Sequence, residues 1–243
     1  MELILGDCLE ELKKIEDGSI DCVITSPPYN MRTRIRNGEY TTRETSEHFS
    51  KKYKYFSDDL GILEYKEYHL QVIKELLRVS SLVFWNIQIV TGSKEAVFKI
   101  IGELSEYIRD IIVWDKVVAQ PAMHEGVINR GYELIVIFES PARAGRAFSK
   151  YEFKRGTMYD VWEIKTERGY SGHSAVFPEL LVAKILNGWT KKGDLVLDCF
   201  MGSGTTGVIC KKLDRDFIGI EIVEEYYNLA KERIENTPNS LFS

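Results

Sequence analysis

The segment that most constrains the fold lies late in the chain, at residues 194–207, with the sequence DLVLDCFMGSGTTG. Its apolar run, 195–197, predicts a buried strand, and the glycines that follow allow a tight turn and a close approach to a ligand before a helix begins near Thr205. The next strand, 217–220, ends in Glu221, whose carboxylate is placed to accept hydrogen bonds from ribose hydroxyls. This order of elements predicts an α/β protein that binds a cofactor at the turn.

Gly202, Gly204 and Gly207 also match the dinucleotide-binding fingerprint, which alone is a weak signal. The 36 residues after Gly207 suffice for a helix, a strand and a final helix, but not for the second mononucleotide half that a dinucleotide requires. Asp198 adds an acidic group just before the turn. Because a carboxylate favours a sulfonium cation and repels a pyrophosphate, the segment favours a cationic cofactor.

A second motif, Ser26-Pro27-Pro28-Tyr29, follows the apolar run 20–24. Two consecutive prolines give up ladder hydrogen bonds and stiffen the backbone beyond the strand. A short acceptor at Ser26, rigid carbonyls and the aromatic face of Tyr29 suit one task, which is to hold a planar ring by its NH₂ edge while stacking on it. Taken alone, the tetrapeptide favours the simpler interpretation, which is a proline-terminated strand that enters an ordinary loop.

Together the two motifs resemble the DNA amino-methyltransferases, which methylate exocyclic amino groups with S-adenosylmethionine. The resemblance makes the tetrapeptide the catalytic element, and its position before the cofactor motif is typical of the circularly permuted β class. The stretch 173–178 resembles the segment that closes over the cofactor, although Ser174 replaces the usual proline. The resemblance implies that the cofactor is bound by Asp7, Cys8, Phe177, Asp198, Phe200, Gly202, Ser203, Gly204, Thr205, Thr206, Glu221 and Ile222.

The implied fold is a circularly permuted Rossmann-like methyltransferase domain that spans 1–243. It has a seven-stranded, mostly parallel sheet, one antiparallel edge hairpin and helices on both faces. The hairpin is expected from strands at 110–114 and 133–138, and helical spacing predicts helices at 64–78 and 94–107.

The residues of the tetrapeptide also suggest how the reaction proceeds. An exocyclic amine is a poor nucleophile because its lone pair is conjugated into the ring. Acceptors at Ser26 and at the Pro27 carbonyl would hold its N–H bonds so that the lone pair faces the methyl donor, while Tyr29 stacks on the extruded base. Direct displacement then needs no covalent protein intermediate, and the proton can leave to water or to an oxygen of the motif.

DNA as the substrate has to be reconciled with a net charge of −5 and a pI of about 5.6. Locally, residues 31–55 carry seven basic and three acidic side chains, which indicates a mobile DNA-contacting loop at about 31–57. A short target-recognition segment is expected at about 141–170. A merely solvated surface loop is the alternative for the first segment. For the second, the alternative is that its aromatic residues pack beneath the loop and its charges are solvated. The predicted DNA-binding residues are Arg32, Arg34, Arg36, Lys51, Lys52, Lys54, Arg143 and Arg146.

The four cysteines lack paired spacing, and the four histidines are scattered, so neither a disulfide framework nor a metal site is expected. No signal peptide or membrane-spanning run is apparent, which favours a cytoplasmic protein with no membrane partner. A homodimer and a companion restriction endonuclease are further partners compatible with the resemblance.

The resemblance favours N4 of cytosine as the target because serine is commoner than aspartate at the first tetrapeptide position of cytosine-specific enzymes. A serine hydroxyl can also donate to the ring nitrogen beside the amine, which a carboxylate cannot. N6 of adenine is the alternative. A methyltransferase acting on RNA or protein glutamine, and a catalytically silent DNA-binding module, are more remote functions.

Overall fold

The computed structural model describes residues 1–30, 33–36, 39–42, 60–120, 125–167 and 177–238, with the backbone alone at 33–36, 39–42 and 119–120. The strands are β1 (Glu2–Leu5), β2 (Cys22–Thr25), β3 (Thr33–Arg36), β4 (Glu39–Thr42), β5 (Leu82–Ile87), β6 (Ile108–Gln120), β7 (Arg130–Glu139), β8 (Val161–Glu163), β9 (Leu195–Asp198) and β10 (Asp216–Glu221). The helices are α1 (Cys8–Leu12), α2 (Ile62–Val79), α3 (Lys94–Glu103), α4 (Glu179–Trp189), α5 (Thr205–Lys212) and α6 (Glu224–Asn236).

Eight strands form one mixed sheet in the order β1-β10-β9-β2-β5-β7-β6-β8. Neighbouring strands are parallel except at β7, which is antiparallel to both β5 and β6. Within the described chain, β7 is therefore the one strand of this sheet that runs against the others. The predicted α/β class, with a mostly parallel sheet and an antiparallel hairpin, is confirmed.

The strand count differs from the expected seven, because β8 adds an eighth strand. It pairs in parallel with β6, so the β6–β7 hairpin lies one strand in from the edge of the sheet. With only three residues, β8 is too short to show an alternating pattern in the sequence. Trp162 at its centre is buried, which indicates that packing and pairing, rather than local propensity, define this strand.

Helices cover both faces of the sheet, and alternate strand residues supply the two cores. Buried residues of α1, α2 and α3 pack with Val83 and Trp85 on one face. Buried residues of α4, α5 and α6 pack with Leu82 and Phe84 on the other. Successive side chains of β5 thus point to opposite cores, as expected for a strand covered on both sides.

The inner strands β9 and β2 are neighbours, and the chain leaves them toward opposite faces. After β9 it continues into α5, whereas the next described helix after β2 is α2 on the other face. A crevice forms at the carboxyl ends of such a pair, and this switch point is where open α/β sheets bind their ligands. The sheet thus places the ends of the two sequence motifs next to each other.

Three local features complete the description. The helix expected at 94–107 ends at Glu103 and is followed by a 3₁₀ turn at Ser105–Tyr107. Within the predicted loop at 31–57, β3 and β4 form a two-stranded antiparallel hairpin. Among the described residues, no helix combines the length and apolar character needed to cross a membrane.

Candidate active site

A buried hydrogen bond joins the ends of β2 and β9. Thr25 Oγ1 donates to Asp198 Oδ1 at 2.9 Å, and both residues are almost completely buried. Thr25 directly precedes the tetrapeptide, and Asp198 directly precedes the glycine turn. One contact therefore links two motifs that are 173 residues apart in sequence.

Asp198 is held by two further hydrogen bonds. Thr206 Oγ1 donates to Oδ2 at 2.7 Å, and the Phe200 N–H donates to Oδ1 at 3.2 Å. Burial raises the pKa of Asp198 from 3.8 to about 6, even though the hydrogen bonds from Thr206 and Thr25 oppose the change. A cation bound at the turn would favour the ionised carboxylate and so recover part of the cost of burying it.

The glycine turn brings its backbone close to α6. Gly202 and Gly204 have φ angles of 54° and 77°, in the left-handed region that side chains other than glycine rarely adopt. A Cβ added at Gly204 would lie 2.7 Å from Ala230 Cβ, and the Gly204 N–H donates to the Met201 carbonyl at 2.9 Å. Glycine is therefore required for the turn itself, and α5 begins at Thr205, as the sequence predicts.

Glu221 closes β10 beside this turn. Its Oε2 accepts a hydrogen bond from the Gly202 N–H and its Oε1 accepts one from the Val223 N–H, both at 2.8 Å. Burial raises the pKa of Glu221. Each carboxylate oxygen has a second acceptor position, so Glu221 can hold the turn and still accept hydrogen bonds from ligand hydroxyls.

Asp7 lies next to the end of β10, because the Gly6 N–H donates to the Glu221 carbonyl at 3.0 Å. Asp7 Oδ1 accepts from the Leu9 and Glu10 amides at 2.9 and 3.2 Å and so caps α1. The sequence did not reveal this structural role, which positions Asp7 and the buried Cys8 near Glu221 whether or not they contact a cofactor.

The remaining predicted cofactor residues lie on several elements. The Phe200 ring lies 6.4 Å from the His69 ring, and the Ser203 carbonyl accepts a hydrogen bond from Arg233. Ile222 directly follows β10. Phe177 packs against the core on the α4 face, while residues 173–176 of the predicted closing segment lie outside the described residues.

The backbone of the tetrapeptide is fixed from two sides. Tyr65 Oη donates to the Pro28 carbonyl at 2.8 Å. Asn30, which has a φ of 58°, donates through Nδ2 to the Leu60 and Gly92 carbonyls, each at 2.9 Å. The Pro28 carbonyl thus has a protein partner, and the Pro27 carbonyl stays the predicted backbone acceptor for a substrate.

Four polar side chains meet beside the tetrapeptide. Ser26 Oγ lies 2.7 Å from Tyr29 Oη, and the Tyr29 hydroxyl donates to Glu133 Oε2 at 2.9 Å. Asn86 Nδ2 lies 2.7 Å from Tyr29 Oη and 2.6 Å from Glu133 Oε2. Asn86 is near the end of β5 and Glu133 near the start of the antiparallel β7, so both side chains reach the carboxyl edge of the sheet.

Burial and the negative charge of Glu133 raise the pKa of Tyr29 well above its ordinary range, so its hydroxyl stays protonated. Lys116 Nζ lies 2.6 Å from Glu133 Oε1 and forms an ion pair with it. Sequence reasoning missed Asn86, Glu133 and Lys116 as site residues. The available signal at Asn86 was a polar residue near the end of an otherwise apolar strand, and the signal at Glu133 was an acidic residue directly before the apolar run 134–138.

The structure does not bring Arg143 and Arg146 to this site. Because β7 is antiparallel, the residues that follow it begin at the opposite edge of the sheet. There Arg143 forms an ion pair with Glu139, and Arg146 forms one with Asp110. The predicted recognition segment returns to the carboxyl edge only through β8.

The other predicted DNA contacts are not placed by side chain. Arg34 and Arg36 belong to β3, of which only the backbone is described, and Arg32, Lys51, Lys52 and Lys54 lie outside the described residues. Within the described ranges, no group of three or more His, Cys, Asp or Glu side chains could hold a metal ion.

Comparison with known proteins gives the chain a family. A family model described as DNA methylase, of the N6/N4 type, matches residues 20–232. The Type II methyltransferase M.HinfI of Haemophilus influenzae is 28% identical over 262 residues, which cover 98% of this chain and 69% of the relative.

Solved structures share the fold. The PvuII DNA methyltransferase, described as cytosine-N4-specific, matches with a TM-score of 0.72 at 18% identity, covering 99% of this chain and 87% of that one. The M1.HpyAVI–SAM complex matches with a TM-score of 0.62 at 23% identity, covering 96% of this chain and 98% of that one. The family model spans most of the sequence, and the tetrapeptide and the glycine turn of this chain meet at the switch point of the sheet. This chain therefore belongs to the N6/N4 family of S-adenosylmethionine-dependent DNA methylases.

Proposed function

We propose that this chain transfers the methyl group of S-adenosylmethionine to the exocyclic amino nitrogen of a base flipped out of duplex DNA, with N4 of cytosine as the favoured acceptor and N6 of adenine as the alternative. The observation that carries the proposal is the hydrogen bond between Thr25 and Asp198. It supports a single crevice shared by the tetrapeptide and the glycine turn.

The residues around the turn fit the cofactor. Asp198 offers a buried carboxylate whose raised pKa makes it responsive to a nearby cation. Each carboxylate oxygen of Glu221 accepts one backbone hydrogen bond and can accept a second one from a ribose hydroxyl. Gly202 and Gly204 allow the backbone to approach the cofactor closely. When bound, the cofactor would supply an electrophilic methyl group on a sulfonium sulfur.

The tetrapeptide fits the other reactant. Ser26 Oγ and the Pro27 carbonyl would accept the two N–H bonds of the exocyclic amine, so that its lone pair is directed toward the methyl donor. The Tyr29 ring would stack on the extruded base. No strong general base is required, because the amine becomes acidic once it is methylated.

Two observations support N4 of cytosine over N6 of adenine. Serine occupies the first tetrapeptide position, as is common among the cytosine-specific enzymes of the resemblance, and one structural neighbour is described as cytosine-N4-specific. Both bases present an amino group beside a ring nitrogen, so the geometry of the motif accommodates either.

For DNA contacts, we retain the basic residues at 31–57, which directly follow the tetrapeptide in sequence. Arg143 and Arg146 stay predicted DNA contacts, and they form ion pairs with Glu139 and Asp110 at the opposite edge of the sheet. A companion restriction endonuclease is consistent with the Type II name of the M.HinfI relative. A homodimer stays a prediction.

The test is methyl transfer from tritiated S-adenosylmethionine to duplex DNA, RNA and protein in parallel, with Ser26→Ala as the matched control of lowered activity. Digestion of the labelled DNA to nucleosides then identifies the product. We expect label in N4-methylcytosine, and label in N6-methyladenine selects the alternative base. Label confined to RNA or protein, or none with the wild-type chain, contradicts the proposed function.

A further inference from the structure

The hydroxyl of Tyr29 and the carboxylate of Glu133 have no role in the proposed reaction, yet they form a direct hydrogen bond beside the tetrapeptide. Glu133 is 7% exposed and lies on β7, more than one hundred residues from the tetrapeptide in sequence. A buried carboxylate that a catalytic motif contacts directly calls for a physical reason, because burial of a charge is unfavourable unless it is paired.

The hydrogen-bond donors around Glu133 can be assigned from its charge. A carboxylate only accepts hydrogen bonds. Its Oε1 is paired with Lys116 at 2.6 Å, and its Oε2 is 2.9 Å from Tyr29 Oη and 2.6 Å from Asn86 Nδ2. The one proton of the Tyr29 hydroxyl therefore points to Glu133.

The amide of Asn86 is oriented by the same carboxylate, because an amide oxygen placed 2.6 Å from a carboxylate oxygen would be repelled. Nδ2 therefore faces Glu133, and its second N–H can reach Tyr29 Oη at 2.7 Å. The opposite atom, Asn86 Oδ1, is buried and has no hydrogen-bond partner among the described residues. This unsatisfied acceptor is a cost that the network carries.

These assignments determine the direction of the remaining bond. Tyr29 Oη already donates its proton to Glu133, so at 2.7 Å from Ser26 Oγ it can only accept. The Ser26 proton therefore points to Tyr29. Asn86 Nδ2 lies 3.4 Å from Ser26 Oγ, a long contact compared with its 2.7 Å distance to Tyr29 Oη, so at least one of the two acceptor positions of Ser26 Oγ is left for another donor. In the opposite orientation, a hydroxyl proton directed at the substrate would meet the N–H bonds of the amine.

The geometry points to Glu133 as a positioning residue, which acts through Tyr29 to hold the Ser26 hydroxyl as an acceptor for the exocyclic N–H of the target base. This inference rests on the proposed function and deepens it. It also has a consequence for base choice: the Ser26 proton is committed to Tyr29, so it is not free to donate to a ring nitrogen. The choice between cytosine and adenine must then depend on other groups around the base.

The test is a double-mutant cycle between Glu133→Gln and Tyr29→Phe, with steady-state methyl transfer to DNA as the readout. Glutamine keeps the size of the side chain but offers one acceptor oxygen, for which Tyr29, Asn86 and Lys116 compete. Phenylalanine keeps the stacking ring and removes the hydroxyl. Each single variant is expected to lower kcat by about 10- to 100-fold, the typical loss when a partner that orients a functional side chain is removed.

Glu133 acts through Tyr29, so the double variant is expected to stay within about threefold of the slower single variant. The dissociation constant of S-adenosylmethionine, measured by calorimetry, is expected to change by less than about twofold in all three variants, because the hydrogen bonds described for the network do not reach a proposed cofactor residue.

Glu139→Gln is the matched control. Glu139 is a second buried glutamate of β7, paired with Arg109 at the opposite end of the strand. The Glu139→Gln variant should have a lower melting temperature than wild type, with an unchanged kcat for the folded enzyme.

Several results overturn the inference. One is a kcat within about twofold of wild type for either single variant. Tyr29→Phe provides this test even if Glu133→Gln does not fold. Another is a double variant whose loss equals the product of the single losses, since independent effects multiply. A third is an equal loss of kcat in Glu139→Gln. Absence of methyl transfer by the wild-type chain is a different outcome, which overturns the proposed function and this inference together.

Discussion

The buried carboxylate of Asp198 should make the chain less stable at neutral pH than it would be with an uncharged side chain. Asp198→Asn tests this, because asparagine can keep an acceptor toward Thr25 and the Phe200 amide while Thr206 turns its hydroxyl to accept. The variant should therefore be more stable than wild type at pH 8, even though it loses the charge that we assign to cofactor binding.

The magnitude follows from the raised pKa. Folded Asp198 has a pKa of about 6 against an ordinary value of 3.8, so between these values the folded chain binds a proton that the unfolded chain has lost. Stability from this group is fully present below pH 3.8 and is lost as the pH rises through 6. At about 1.36 kcal/mol per pH unit, the loss reaches about 3 kcal/mol at pH 8 and only about 0.5 kcal/mol at pH 4.

Urea unfolding of both proteins across this pH range is the assay. The stability gained by Asp198→Asn should grow by about 2.5 kcal/mol between pH 4 and pH 8. In the same variant, calorimetry should show weaker binding of S-adenosylmethionine. A difference in unfolding free energy that does not depend on pH would refute the reasoning, because Asp198 would then ionise equally in the folded and unfolded chains.

Three further predictions concern the tetrapeptide, the basic loop and the glycine turn. Ser26→Ala should lower kcat by about 100-fold and leave the dissociation constant of the cofactor nearly unchanged. If turnover assays and calorimetry show that kcat and cofactor affinity fall by the same factor, the assigned role of Ser26 is contradicted. Replacing Lys51, Lys52 and Lys54 with glutamine should reduce the slope of log affinity against log salt by up to about 2.7, if each contacts one phosphate. An unaltered slope in a DNA-binding titration would exclude these lysines from the phosphate contacts. Gly207→Ala should destabilise the fold by about 1–3 kcal/mol, because the added Cβ would lie 2.5 Å from Ile234 Cδ1 and 2.7 Å from Phe217 Cε1. An unchanged urea midpoint would show that α5 can move away from α6 at no cost.

The parts of the site that the sequence predicts are those defined by local chemistry. A buried strand, glycines in left-handed conformations and a helix start follow each other within residues 194–207, so one segment contains the whole signal. The tetrapeptide is equally local, since two prolines fix its backbone wherever it lies. That the two segments meet depends on β2 and β9 being neighbours, which the order of the motifs in the family implies.

The polar network beside the tetrapeptide was not predictable in the same way. Asn86 and Glu133 lie 57 and 104 residues from Tyr29. Asn86 interrupts an otherwise apolar strand, whereas Glu133 is one of two glutamates in β7. Their contact depends on the pairing of β5 with β7, which no local pattern fixes.

The position of the arginines at 143 and 146, away from the tetrapeptide, was not anticipated for a different reason. Their composition suits a DNA contact, but composition does not say which edge of the sheet they occupy. The reversal of β7 was itself part of the expected hairpin, so the opposite placement of the residues after it could have been inferred from the sequence.

The central claim is that the tetrapeptide and the glycine turn serve one reaction in one crevice. Its most direct test is a crystal structure of the chain with a cofactor analogue and duplex DNA that contains the target base. The account predicts the base out of the helix, with its exocyclic nitrogen within hydrogen-bonding distance of Ser26 Oγ and about 3–3.5 Å from the analogue's methyl-equivalent atom. An analogue bound away from Asp198, or a target base held elsewhere than at Ser26, would contradict it.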